Sequence, residues 1–199
     1  MSYYSKLIAL IFIIISFSKS EILPQSVLSS DQSFFNGRNS SVKCKSGTTI
    51  IVNSSGKLIS GTLSIDQKFY NGKNASVSCV KDEKVIFNEA GDVIFATLLK
   101  DQTFYNGKNA PVYCLDSSRI EFYDSGRVKS AYIYTNQGFY NGRNAPVYCE
   151  KRKKVLFYES GNLESATLSS KQTFYSLKDQ LRIFNRGDMV YFSEQGNVN

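Results

Sequence analysis

From residue 28 onward the chain runs in short apolar and polar alternations of four to seven residues, separated by clusters of Asn, Asp, Ser and Gly. Period-two alternation rich in Val, Ile, Phe and Tyr predicts β-strands, and beyond the first 20 residues no 3.6-residue apolar period or helix cap competes with it. Residues 102–105 (QTFY) and 108–114 (KNAPVYC) flank Asn106-Gly107. Asn-Gly in that setting predicts a hairpin closed by a type I′ turn, with positive φ at both central residues. Ile120–Tyr123 and Arg127-Val128 flank Asp124-Ser125-Gly126, which predicts a three-residue loop whose glycine takes the left-handed position beside a bulge.

These two hairpin signals recur. Cys44, Cys79, Cys114 and Cys149 are each 35 residues apart, and so are Gly56, Gly91, Gly126, Gly161 and Gly196. Two residue types keeping one period without an insertion mark a repeat array, in which each unit buries its apolar face against its neighbours. Five units follow, about 28–62, 63–97, 98–132, 133–167 and 168–199. Val52, Phe87, Phe122, Phe157 and Phe192 form one apolar column, and Leu58, Val93, Val128, Leu163 and Val198 another; the loop brings them face to face as the expected core. The small column Gly61, Ala96, Ala131 and Ala166 lies an odd number of residues further on, so a bend or bulge must intervene. The expected fold is all-β: five 35-residue β-hairpin repeats in tandem, forming an elongated twisted antiparallel sheet or a rolled β-solenoid.

The stretches VNSSGKL (52–58), FNEAGDV (87–93), FYDSGRV (122–128), FYESGNL (157–163) and FSEQGNV (192–198) resemble the Y-x-N-G-K-L hairpin of MORN-type repeats. They resemble more closely a group of exported bacterial β-hairpin repeat proteins with units of the form F-Y-x-x-G-x-L-x-x-A-x-L. That resemblance implies export and a β-repeat fold, and it supplies no catalytic residues.

Residues 1–20 place Lys6 before an apolar run from Leu7 to Ile15 and end on Ser18-Lys19-Ser20. This is the pattern of a secretory signal peptide cleaved after Ser20, leaving residues 21–199 as a single repeat array that is periplasmic, on the cell surface or secreted. The apolar run is shorter than the roughly 20 residues of a spanning helix, and no later segment is apolar enough to cross a membrane. Without Lys6 and Lys19 the chain carries 22 basic and 17 acidic side chains, a net +5. So mild an excess suits weak attraction to anionic surfaces and does not predict a specific nucleic-acid binder.

Several columns could carry chemistry. Arg38, Lys73, Lys108, Arg143 and Lys178 put a base in every unit, beside Phe35, Tyr70, Tyr105, Tyr140 and Tyr175. A stripe of cations and aromatic faces suits an anionic polymer, a glycan or a protein partner. The competing account is solvated bases that guard strands against pairing with other chains, as in a purely structural envelope protein without a specific ligand. Gln32, Gln67, Gln102, Gln137 and Gln172 are expected to satisfy backbone groups or to stack as an amide ladder. Asp31, Asp66, Asp101 and Asn136 give way to Lys171, which argues against a repeated calcium site.

An even number of cysteines in an exported chain suggests disulfides. If each unit gives four strands to one sheet, however, equivalent cysteines stand about 19 Å apart at about 4.8 Å per strand, beyond the roughly 7 Å that a bridge spans. Phe184 in the cysteine column also points to a buried apolar position, so free thiols are the first expectation, disulfides the second and Cys-only zinc a distant third. The chain has no histidine, which removes the usual general base, and its carboxylates recur in turns instead of forming a singular pair. The reading is a non-enzyme, with no catalytic residue, metal or cofactor assigned.

Overall fold

The computed structural model describes residues 25–198 apart from 39, 74, 144 and 145, so the signal-peptide reading at 1–20 lies outside the described residues. The described chain is all-β. After β1 (Gln25–Val27), the first unit holds β2 (Gln32–Phe35), β3 (Ser41–Cys44), β4 (Thr49–Val52) and β5 (Leu58–Thr62). The second holds β6 (Gln67–Tyr70), β7 (Ser76–Cys79), β8 (Lys84–Phe87) and β9 (Val93–Thr97); the third holds β10 (Gln102–Tyr105), β11 (Pro111–Cys114), β12 (Arg119–Phe122) and β13 (Val128–Tyr132). The fourth holds β14 (Gln137–Tyr140), β15 (Pro146–Cys149), β16 (Lys154–Phe157) and β17 (Leu163–Thr167), and the last β18 (Gln172–Tyr175), β19 (Leu181–Phe184) and β20 (Met189–Tyr191).

Each unit divides its hairpins between two layers. The second hairpins join β1 and β20 in one ten-stranded antiparallel sheet, in the order β1-β4-β5-β8-β9-β12-β13-β16-β17-β20. The first hairpins remain five separate two-stranded ribbons laid over one face of it. Of the two architectures open from sequence, this is the sheet and not a solenoid. It also corrects the expected strand count: a unit adds two strands to the sheet, so the array advances about 10 Å per unit at ~4.8 Å per strand.

The three-residue loops form as their chemistry predicts. The Tyr123 N–H donates to Arg127 O at 2.9 Å, the Gly126 N–H donates to Tyr123 O at 2.8 Å, and Gly126 takes φ +75°. Beyond the loop the register pairs Phe122 with Val128 but Glu121 with Ser130, leaving Lys129 as an extra residue. That bulge lets Val128 and Ala131, three residues apart, both face the core. The same shift recurs in the hairpins of the three other complete units.

The core lies between the layers. Phe69 of a ribbon meets Phe87 of the sheet edge-to-face, with ring centroids 5.0 Å apart, and Phe104–Phe122, Phe139–Phe157 and Phe174–Phe192 repeat the contact. Such pairs contribute about 0.5–1.5 kcal/mol each beyond the area they bury. Val42, Val77, Val112 and Val147 fill the spaces beside them, and all four cysteines are buried as free thiols. Phe184, in the cysteine column, is only partly buried against the same core.

Candidate binding surface

The site begins at the loops of the ribbon layer, which hold the basic column. In the second unit Tyr70 pairs with Ser76, leaving residues 71–75 as a five-residue loop. Neither Asn71 nor Gly72 has a positive φ, and the same is true of Asn106 and Gly107, so the expected type I′ turn is not formed. The asparagine is instead buried and bonded on both sides. Asn71 Oδ1 accepts from the Lys73 N–H at 3.2 Å and the Ala75 N–H at 3.0 Å, while its Nδ2 donates to Gly126 O at 3.0 Å. Asn36, Asn106 and Asn141 reach Gly91 O, Gly161 O and Gly196 O in the same way, always 55 residues on. Thus the loop of one unit is clamped onto the sheet hairpin of the next.

Gly72, Gly107 and Gly142, beside Asn71, Asn106 and Asn141, are required by that approach. A Cβ on Gly72 would lie 2.7 Å from Asp124 O, and one on Gly126 would lie 2.6 Å from the Lys73 nitrogen. Two backbones meet with no room for a side chain between them. In the last unit Ser176 replaces the asparagine; its Oγ still accepts from the Lys178 and Gln180 N–H groups at 3.3 Å. The local cap therefore survives where the Asn-Gly pair does not.

This clamp fixes the backbone nitrogen of each base and leaves its side chain exposed. Arg38 Nε stands 2.5 Å from Asp92 Oδ1, a carboxylate whose side chain is 6% exposed. Arg143 donates to Asp179 Oδ1 at 2.8 Å, and its guanidinium lies 5.1 Å from the centroid of the Tyr175 ring. Lys73, Lys108 and Lys178 form no ion pair among the described residues. Two of the five bases therefore have carboxylate partners that the column reading did not anticipate. Exposed Glu89, Asp124, Glu159 and Glu194 sit in the turns against which these loops dock, which reduces the positive field further.

Tyr70, Tyr105, Tyr140 and Tyr175 are 45–51% exposed, on the outward side of the ribbons, while the adjacent phenylalanines point into the core. Phe35 continues the column and is also exposed. Tyr105 stands opposite Pro111 and Tyr140 opposite Pro146, with Tyr113 and Tyr148 two residues along the same strands. Between the last two ribbons a groove of about 480 Å³ is lined by Asn141, Arg143, Phe174 and Tyr175 among others. The structure thus brings base and aromatic together most closely at Arg143 and Tyr175, from successive units.

The glutamines join neighbouring ribbons. Gln102 Oε1 accepts from the Ser78 N–H at 2.8 Å and its Nε2 donates to Ser76 O at 2.9 Å. Gln67 and Gln137 do the same to the ribbons before them, and Gln172 bonds to the backbone of Tyr148. Asp31, Asp66, Asp101 and Asn136 each accept a backbone N–H 15 residues on, capping the next turn. Both columns are thereby occupied by backbone.

Burial pushes the Cys44 thiol up to about 11 and those of Cys79 and Cys149 to about 12, and it raises Cys114 as well. Each Sγ–H is directed at the carbonyl of the valine two residues before it. Among the described residues no group of three His, Cys, Asp or Glu side chains is placed to hold a metal ion, and no helix is long and apolar enough to cross a membrane. Comparison of the chain with protein-family models, with curated proteins and with solved structures gives no match.

Proposed function

We propose that this is an exported, non-enzymatic repeat protein that binds an extended polymer or a protein partner along the outer face of its ribbon layer. The observation that carries the reading is the row of half-exposed aromatic rings, one per unit, each beside a base whose backbone N–H is capped by an asparagine or, at Lys178, by Ser176. A ring that keeps half its surface in water in four successive units is poorly explained by packing, since the adjacent phenylalanines already fill the core. Export rests on the signal-like segment and on the resemblance to exported β-hairpin repeat proteins. An anionic polymer or glycan would engage Lys73 and Lys108 in addition to the rings.

The test is retention on an immobilised anionic polymer by a variant carrying Lys73→Glu, Lys108→Glu and Arg143→Glu. Loss of retention with an unchanged β-sheet circular dichroism spectrum is expected; unchanged retention sinks the reading. The ion pairs Arg38–Asp92 and Arg143–Asp179 favour the second reading, a structural envelope protein in which the bases only join units. In that case the triple variant leaves localisation and assembly as they were.

A further inference from the structure

The ends of the array are complementary. The pairs that join β1 to β4, Gln25 with Ile51, Ser26 with Ile50 and Val27 with Thr49, stand one 35-residue period before those that join β5 to β8. Hence β1 occupies the place of a unit's second sheet strand. At the other edge β20 pairs with β17 as β8 pairs with β5, so β20 occupies the place of a first sheet strand. Among the described residues each of these strands has one neighbour in the ten-stranded sheet, with Val198 turning back beyond β20 to bridge Phe192, and each is the type of strand that the other's open edge meets inside the array. If β20 received β1 of a second copy, Tyr191 would face Gln25 as Ile51 faces Ser60.

The ribbon layer matches in the same way. The Ile183 N–H and Leu181 carbonyl stand where the glutamine of a following unit bonds, as Gln137 does to Tyr113 and Pro111. Gln32 of a second copy is the residue that would reach them. Phe184 is only partly buried, whereas the four cysteines of its column, each with a following unit against it, are 0–1% exposed. A second copy therefore fits the continuation of an interface that the array already forms four times.

One contact does not continue. Inside the array the third element of the joint is the Asn-Gly clamp, and a Cβ on Gly142 would lie 2.5 Å from Glu194 O of the next unit's turn. The last unit has Ser176-Leu177 in those two places, and Leu177 is 66% exposed. Its side chain would stand where the turn of an added copy, at Ser54, must pass.

We infer that Leu177 is a stop: it keeps a second copy of this chain from adding end to end onto a sheet edge and a ribbon edge otherwise shaped to receive one. Head-to-tail joints of this kind do not close on themselves and grow into filaments, which is why such an edge needs a block. The inference is independent of what the outer face binds.

The test is sedimentation of the purified protein and of the Ser176→Asn, Leu177→Gly double variant across a wide range of concentration. The parent is expected to remain monomeric, and the double variant to form linear oligomers that lengthen with concentration. Leu177→Gly alone, which removes only the obstruction, is expected to associate more weakly and guards against misfolding of the double variant. Adding Gln32→Ala to the double variant should weaken association about tenfold, through two lost hydrogen bonds. End-to-end growth of the parent, a double variant that is folded but monomeric, or association indifferent to Gln32 would each overturn the inference.

Discussion

Asn106 holds the third unit to the fourth, and its replacement separates two contributions that meet in one side chain. The Asn106 side chain is buried; its Oδ1 accepts from the Lys108 and Ala110 N–H groups at 3.0 Å, and its Nδ2 donates to Gly161 O at 3.1 Å. Alanine leaves one carbonyl and two amides without partners. At about 1–3 kcal/mol for a fully buried orphan, and less for the two amides near the exposed end of the loop, the expected cost is about 3 kcal/mol. Serine can keep the cap, as Ser176 does toward Lys178 and Gln180, and loses only the bond between units; the expected cost is about 1 kcal/mol. Urea unfolding followed by tyrosine fluorescence measures both, the chain having 13 tyrosines and no tryptophan. In an array whose stability sums over units and their joints, the alanine variant should also lower the slope of the transition as the two sides uncouple. Equal costs for serine and alanine, or an alanine cost below about 1 kcal/mol, would refute the assignment of the asparagine as an inter-unit clamp.

Three further outcomes are expected. Gly126→Ala should cost at least about 2 kcal/mol, because alanine is strained in the left-handed region and its Cβ meets the backbone at Lys73; a calorimetric loss no larger than that of a surface substitution would contradict it. Arg38→Ala should cost about 2 kcal/mol, by leaving Asp92 buried without its cation. Lys73→Ala at the equivalent position should cost less than about 0.5 kcal/mol, and denaturant midpoints of the pair decide the matter. The four thiols should ignore an aromatic disulfide reagent in the native protein and all react once it is unfolded. Because burial raises their folded values above the ordinary 9.0, the stability they carry is fully present below pH 9.0. It is lost as pH rises toward about 11 to 12, which thermal melts across that window would show.

The period, the strands and the three-residue loops were legible because their causes are local. Asp124-Ser125-Gly126 needs only its own residues to form its turn, and the odd offset between Val128 and Ala131 already required the bulge found at Lys129. The Asn-Gly dipeptide misled for the opposite reason. Turn chemistry reads Asn106 and Gly107 as partners of their neighbours alone, whereas Asn106 caps its own loop and also reaches a hairpin of the next unit, 55 residues on, whose backbone leaves no room for a side chain at Gly107. The division into two layers was hidden as well, since both hairpins of a unit show the same alternation and nothing in it says which joins the sheet. The partners of Arg38 and Arg143 escaped because they do not recur: the column containing Asp92 reads Lys57, Asp92, Arg127, Asn162 and Asn197. A contact made in one unit leaves no period to find.

The glutamine joints give the molecule two different materials, one on each side. Backbone hydrogen bonds run unbroken across the ten strands of the sheet, whereas at each ribbon junction one glutamine amide is joined by a backbone bond beside it, as from the Leu99 N–H to Ser78 O. A load that bends the strip toward its sheet side would stretch the ribbon side, where the seams at Gln67, Gln102, Gln137 and Gln172 can yield before any sheet ladder breaks. The array should therefore flex as a hinged mat backed by a stiff sheet, opening the spaces between its tyrosines without unfolding.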